Sequence, residues 1–568
     1  MNYLSTRGGA ERLTFEQAVL TGLAPNGGLF IPAHIPQLPA NWQSEWARLS
    51  FPELSHRVLS LYIPEDPAQG GIPSADLQHV INKSYATFRH HDTTPLVRLD
   101  DHEWCLELWH GPTFAFKDVA LQLLGNLFEY FLQRRNKDKP QHQREKLTIV
   151  GATSGDTGSA AIQGVRSKED ISIFILFPDG RVSPIQEAQM TTVLDDNVHN
   201  VSVQGTFDDC QDVVKALFSD ADFNAKHRLG AVNSINWARI LAQIVYYFSA
   251  YFSFRNQLGL SASEPTPEHL EFVVPTGNFG DILAGYYAKR MGLPVSRLVV
   301  ATNENDILQR FWATGRYEKS SAASSSSGAT SVQTEPAQGS SDGGQQGGVR
   351  ATLSPAMDIL VSSNFERLLW YIAYESQAAS HATASQQERE EAAGQQLALW
   401  MQSLKTDGRM AVDDAQLAIA RRDFAAERVS DQEIRDTVLQ YFTRKPTAAY
   451  PAGSYLVDPH TAVGFKAAAN VVAGSTKPHQ IVLSTAHPAK FAEAVTSSLE
   501  SAGAEFDFER DVLPKEMIGL LEKKRRVIGV KPEGKPGVDG LVEAVKRVVE
   551  SQAQVVKARE ASANTASV

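Results

Sequence analysis

The sequence predicts an α/β protein with two doubly wound, mainly parallel sheets, each flanked by helices. Three observations predict it. The middle of the chain repeats one syntax: a short apolar strand, a polar glycine-containing loop, then an amphipathic helix. Hydrophobic residues make up 42% of the 568 and charged residues 21%, the balance of a globular chain with a large core. The longest apolar stretch, Ile240 to Phe254, is broken by Gln243, Ser249 and Ser253, so it reads as a buried helix and not a membrane span.

The syntax recurs four times. Glu103 to Trp109 leads through His110-Gly111-Pro112-Thr113 into a helix from about Asp118. Leu147 to Val150 leads through Gly151–Gly158 into a helix from about Ser159. Phe272 to Val274 leads through Pro275–Gly280 into a helix over Asp281 to Met291, and Ile481 to Leu483 through Ser484-Thr485-Ala486 into a helix from Pro488. In parallel sheets ligands collect beyond the carboxyl ends of the strands, so these loops are expected to converge on one cleft.

Residues 1–95 read differently, as an α+β region with a helix over Leu13 to Leu20, a turn at Gly22–Gly28 and a short strand at Leu29–Ile31. Residues 96–318 hold the first three strand–loop–helix units. From 319 to 349 the chain is Ser-, Gly- and Gln-rich with almost no large apolar side chain, and it reads as a disordered insertion. Residues 350–525 resume the core with a largely helical portion over about 360–445. Residues 526–568 are expected to form a C-terminal helix whose Ala- and Ser-rich tail frays after about Gln552.

Composition excludes several functions. Lys and Arg number 54 against 65 Asp and Glu, a net charge of −11, which argues against a nucleic-acid partner. Two cysteines, Cys105 and Cys210, cannot build a disulfide framework or a thiolate zinc site, and no metal ligands are assigned. The N-terminal residues lack an apolar run of signal-peptide length, and Glu11 and Glu16 do not suit a transit peptide. The expected setting is cytoplasmic, with no membrane partner.

Three features carry chemistry. In Pro275-Thr-Gly-Asn-Phe-Gly-Asp281, Gly277 and Gly280 let the backbone approach a ligand closely, and the following helix adds its positive end, which suits a phosphate monoester. Asp281 is expected to cap that helix. In Thr153–Gly158, the hydroxyls of Thr153, Ser154 and Thr157 offer donors beside a second helix start, which suits a carboxylate. Lys117 lies between Phe116 and Asp118, where aromatic neighbours would lower its pKa toward the neutral amine that Schiff-base chemistry requires. Together they suggest an enzyme with a phosphorylated carbonyl cofactor.

The chain resembles the threonine synthases, pyridoxal-phosphate enzymes of fold type II, in their fungal form. The resemblance rests on Tyr3–Gly8, Gly22–Phe30, His110–Asp118, Gly151–Gly158, Asn233–Arg239, Gly277–Asp281, Asn303–Asp306 and Ser484–Phe491. It runs from residue 1 to about 525 and departs at the 319–349 insertion.

The resemblance implies that Lys117 holds pyridoxal phosphate as a Schiff base and later moves protons. It assigns Gly277, Asn278, Phe279, Gly280 and Asp281 to the cofactor phosphate cup, and Thr485 to the pyridine nitrogen. Ser154, Asp156 and Thr157, with Asn233, Ser234, Asn236 and Arg239, are the implied substrate residues. Arg239 could fork onto an anion or make a surface ion pair. His487 reads as an acid–base group or as a structural one. The implied substrate is the small molecule O-phospho-L-homoserine, converted with water to threonine and phosphate. A phospho-lyase releasing a keto acid, ammonia and phosphate is the alternative, and monomer and homodimer stay open.

Overall fold

A computed structural model describes residues 1–319, 348–380, 384–472, 477–500 and 506–566. The expected disordered insertion falls mostly on residues outside these.

The larger sheet has six strands in the order Phe424–Arg428, Arg297–Thr302, Leu270–Pro275, His479–Ser484, Glu103–Glu107 and Leu96–Arg98. All neighbours are parallel except the last pair. Register explains the near-continuous apolar runs. Trp104, Ile481, Phe272 and Leu298 form one cross-strand row, and Cys105, Val482, Val273 and Val299 form the next. The two rows enter different hydrophobic clusters on opposite faces, so neither face meets water.

The smaller sheet has five parallel strands in the order Ile528–Val530, Val198–Val203, Ile171–Pro178, Leu147–Ala152 and Leu229–Gly230. The helix Trp237–Gln257 is buried along nearly its whole length. It packs on the helices Lys117–Asn136 and Gly280–Met291. The Lys117 helix also packs on the helix Asp156–Val165 at backbone distance: a Cβ on Gly125 would lie 2.0 Å from the Gly164 carbonyl oxygen.

Near the N-terminus the strand Tyr3–Ser5 pairs antiparallel with Phe30–Pro32, and Thr14 with Gln17 forms a capping box on the helix Phe15–Thr21. Arg7 reaches Glu366 at 2.7 Å and ties this region to the helix Phe365–Ser380. Among the described residues no helix is long and apolar enough to cross a membrane.

Four expectations shift. The helix after Thr153 begins at Asp156, not Ser159. Pro488–Phe491 is a 3₁₀ turn that precedes the helix Ala492–Glu500. Within the expected helical portion, Phe424–Arg428 is the edge strand of the larger sheet. At the C-terminus the helix Gly537–Ala566 continues past Gln552, as alanine's propensity favours.

Candidate active site

The strands Glu103–Glu107, His479–Ser484 and Leu270–Pro275 are adjacent and parallel, so the chain leaves all three at the same sheet end. Beyond that end the first two exits are laced together. Leu108 N–H donates to the Ser484 carbonyl at 3.1 Å and Phe116 N–H to the Thr485 carbonyl at 2.7 Å. An Ala115–Ala486 bridge closes the lacing. Lys117 follows at once, as the first residue of its helix.

The Lys117 side chain is 13% exposed, with Nζ 3.9 Å from Asp156 Oδ2. Burial lowers its pKa to about 8; Asp156 opposes the shift, while Arg239 and Lys490 reinforce it. At neutral pH a usable fraction of the amine is therefore unprotonated.

Asp156 is held by more than Lys117. Lys490 Nζ lies 2.8 Å from its Oδ1 and donates to the Thr113 carbonyl at 2.7 Å. Gln186 Nε2 also donates to Oδ1 at 2.8 Å. Burial alone would raise this carboxyl, but the two lysines and Gln186 keep it well below the usual carboxylate range. Asp118 is buried beside them, accepting from Thr113 N–H at 2.7 Å and Thr113 Oγ1 at 2.8 Å, and burial lifts it to about 6.

The loop after Leu270–Pro275 forms a cradle. Phe279 caps the Gly280–Met291 helix in the left-handed region at φ 63°, its ring buried against Phe365. Ser362 Oγ donates to the Gly277 carbonyl at 2.7 Å, and Asn364 Nδ2 to the Asn278 carbonyl at 2.9 Å. With the carbonyls tied back, the main-chain N–H groups of Gly277 to Asp281 donate to no group among the described residues. A Cβ on Gly277 would lie 2.9 Å from the Ala356 carbonyl oxygen.

These observations fit a phosphorylated pyridine aldehyde. There is a buried amine with a lowered pKa, a run of unused N–H donors at a helix start for a phosphate, and a Thr485 hydroxyl without a hydrogen-bond partner among the described residues. The strand register brings their loops to one sheet end.

Several expected roles change. The Asp281 side chain does not cap its helix; Tyr246 and Tyr247 donate to Oδ1 at 2.5 and 3.0 Å, and burial raises its pKa to about 7. Its contribution to the cradle is the main-chain N–H alone. Thr153 turns inward, its Oγ1 accepting from Gly155 N–H at 2.9 Å and Gly158 N–H at 2.8 Å, which ties the loop to the start of the following helix. Asn236 is fully used: its oxygen caps Ala238 N–H, and its nitrogen donates to the Val19 and Ala231 carbonyls. Arg239 makes no surface ion pair. It is buried, Nη1 donates to the Val232 carbonyl at 2.9 Å, and Nε has no partner among the described residues. His487 caps the turn after it, accepting from Ala489 N–H at 3.2 Å, and burial lowers its pKa to about 4. Ser154 and Asn233 are exposed, Thr157 and Ser234 half-buried, and Ser234 Oγ lies 3.2 Å from Ser363 Oγ.

Lys490, Gln186, Ser362 and Asn364 join the site beyond the residues that the sequence motifs point to. Lys490 sits inside the Ser484–Phe491 motif, but nothing in the sequence shows that its side chain turns inward. Ser362 and Asn364 carry no local signal, because they act on a loop far away in the chain.

Family models match along the chain. "Threonine synthase N terminus" covers residues 2–85, "Pyridoxal-phosphate dependent enzyme" 87–352 and "Threonine synthase, C-terminal" 461–555. A threonine synthase of Schizosaccharomyces pombe is 52% identical over 96% of this chain and 98% of its own length. The crystal structure of threonine synthase from yeast superposes with a TM-score of 0.83 at 46% identity, covering 97% of this chain and 99% of that one. A structure of pyridoxal-phosphate-bound threonine synthase from Brucella melitensis gives 0.75 at 39% identity, covering 96% and 99%.

Proposed function

Since this chain belongs to the threonine synthase family, we propose that it converts O-phospho-L-homoserine and water to L-threonine and phosphate through the residues assembled around Lys117. It is a pyridoxal-phosphate-dependent lyase of threonine biosynthesis. When bound, the cofactor supplies a ring that accepts the electron pair left at the substrate α-carbon.

The observation that carries the division of labour is the Lys117 amine, buried and shifted to about 8 beside an ionised Asp156. Lys117 is the residue that would hold the cofactor aldehyde. Its neutral amine is placed to take the proton from the substrate Cα and to return protons later in the cycle. Proton transfer by such a positioned group contributes about 10²–10⁴-fold. Asp156, fixed by Lys490 and Gln186, keeps the amine oriented toward the cleft.

The N–H groups of Gly277, Asn278, Phe279, Gly280 and Asp281 hold the cofactor phosphate, and the Thr485 hydroxyl meets the pyridine nitrogen as a neutral partner. Ser154 and Thr157, at the start of the Asp156–Val165 helix, bind the substrate carboxylate. Asn233, Ser234 and the unpartnered Nε of Arg239 serve the substrate side. Asn236 holds the Trp237–Gln257 helix in place and does not touch the ligand. The enzyme works in the cytoplasm.

The test is to assay phosphate and amino-acid products together on O-phospho-L-homoserine. Threonine equal to the phosphate released supports the synthase. 2-Oxobutyrate and ammonia in its place would establish the phospho-lyase and overturn the proposal.

A further inference from the structure

The turn that covers Gly277 is held from behind by a buried pair of side chains. Asp458 caps the helix Pro459–Asn470, accepting from His460 N–H at 2.9 Å. The same oxygen, Oδ1, is 2.9 Å from His460 Nδ1. On its far edge His460 Nε2 accepts from Ala356 N–H at 3.1 Å. A main-chain N–H can only donate, so Nε2 carries the lone pair and Nδ1 carries the proton, which it donates to Asp458. Asp458 is 0% exposed and His460 3%. The Ala356 carbonyl is the atom that a Gly277 Cβ would meet at 2.9 Å.

The second oxygen of Asp458 reaches the other end of the site. Thr461 Oγ1 donates to Oδ2, and the same hydroxyl accepts from Thr485 N–H at 3.3 Å. Ser484 Oγ lies 3.1 Å from Thr461 Oγ1. One buried carboxylate thus supports both the wall of the phosphate cradle and the backbone of Thr485.

We propose that Asp458 and His460 are a positioning pair that sets how tightly the Gly277–Gly280 cradle closes on the cofactor phosphate, by holding Ala356 against Gly277. The proposal rests on the reading that this cradle holds that phosphate. Neither side chain takes part in proton transfer. Their effect is on phosphate affinity, not on turnover with the cofactor in place.

The test compares His460→Gln, His460→Phe and Asp458→Asn with the wild-type enzyme, each resolved from cofactor and reconstituted. The Gln side-chain oxygen can accept from Ala356 N–H, whereas Phe fills the space with no acceptor. Asn at 458 keeps a good helix cap and an oxygen for His460 Nδ1–H, but it removes the buried negative charge and sets an NH2 donor against the Thr461 hydroxyl that donates to Oδ2. The readouts are the pyridoxal phosphate dissociation constant, the competition of inorganic phosphate with it, and kcat at saturating cofactor.

For H460F we expect both affinities to weaken about tenfold, the worth of one hydrogen bond, with kcat within about twofold. H460Q should stay near wild type, and D458N should weaken both affinities. Equal losses in H460Q and H460F, or full affinity in H460F, would overturn the proposal. If H460F does not fold, D458N decides: unchanged affinities overturn it. A wild-type chain that bound inorganic phosphate but no pyridoxal phosphate would instead sink the functional reading and leave the pair to be judged on phosphate alone.

Discussion

Lys490 presents its ammonium 2.8 Å from Oδ1 of Asp156, with its own side chain fully shielded from solvent. The contact leaves Asp156 ionised and adds a second positive charge near Lys117, one of the influences that lower the Lys117 pKa.

Replacing Lys490 with methionine removes that charge. Lys490→Met should move the Lys117 pKa upward from about 8. The pH dependence of cofactor uptake by the apoenzyme reports it: the half-maximal rate should sit near pH 8 in the wild type and at higher pH in the variant. An unmoved profile would show that the Lys490 charge does not reach Lys117.

Burial of Lys117 also makes stability depend on pH. Its folded pKa, about 8, lies below its ordinary value of 10.5, so between the two the unfolded chain binds more protons. This group's contribution to stability should therefore rise with pH from about 8 to 10.5 and be flat below 8. Urea midpoints of apoenzyme and of a Lys117→Met variant, measured across that window, isolate the term: the wild type should gain on the variant as pH rises.

Lys117→Ala should abolish turnover, with at least the roughly 10²–10⁴-fold loss of proton transfer. Borohydride reduction of the holoenzyme should add the cofactor's mass to the peptide containing Lys117 and to no peptide of the variant. A tag on Lys490 would reassign the covalent site.

Gly277→Ala pits a methyl group against main chain. Ala356 O at 2.9 Å and Met357 Cα at 3.2 Å cannot swing aside as a side-chain tip would. The expected cost is about 1–3 kcal/mol, felt as weaker cofactor binding because the cradle moves. Titration with pyridoxal phosphate and the melting temperature of the apoenzyme separate the two effects.

Gly125→Ala decides between helix propensity and packing. Propensity favours alanine by about 1 kcal/mol, but the new Cβ would sit 2.0 Å from the Gly164 carbonyl oxygen. The backbone clash should win, so the variant should be less stable in urea and lose activity as the Lys117 helix shifts.

Much of this was legible in the chain itself. The parallel sheets follow from short apolar strands alternating with glycine-containing loops and helices, which also brings the loops bearing Lys117, Thr485 and the Gly277–Gly280 turn to one sheet end; the part each residue plays there is what the family resemblance implies. What could not be read depends on distant partners. Phe424–Arg428 reads as helix because Ala425, Ala426, Glu427 and Arg428 have little β preference; its strand form comes from pairing with Leu298–Thr302. Asp281 looks like a cap until Tyr246 and Tyr247 approach from another helix and claim its oxygen. Lys490 looks like a surface lysine until Thr113 and Asp156 are brought to it.

The strand His479–Ser484 lies between Leu270–Pro275 and Glu103–Glu107, in the middle of the larger sheet. A ribosome therefore makes most of the polypeptide before the central plank of that sheet exists. Until then Lys117 has no Thr485 beside it, and two strands face an unfilled gap. Emerging chains must wait, with long-range pairing still to be made, and a transcript cut short before this segment would yield a polypeptide unable to retain vitamin B6.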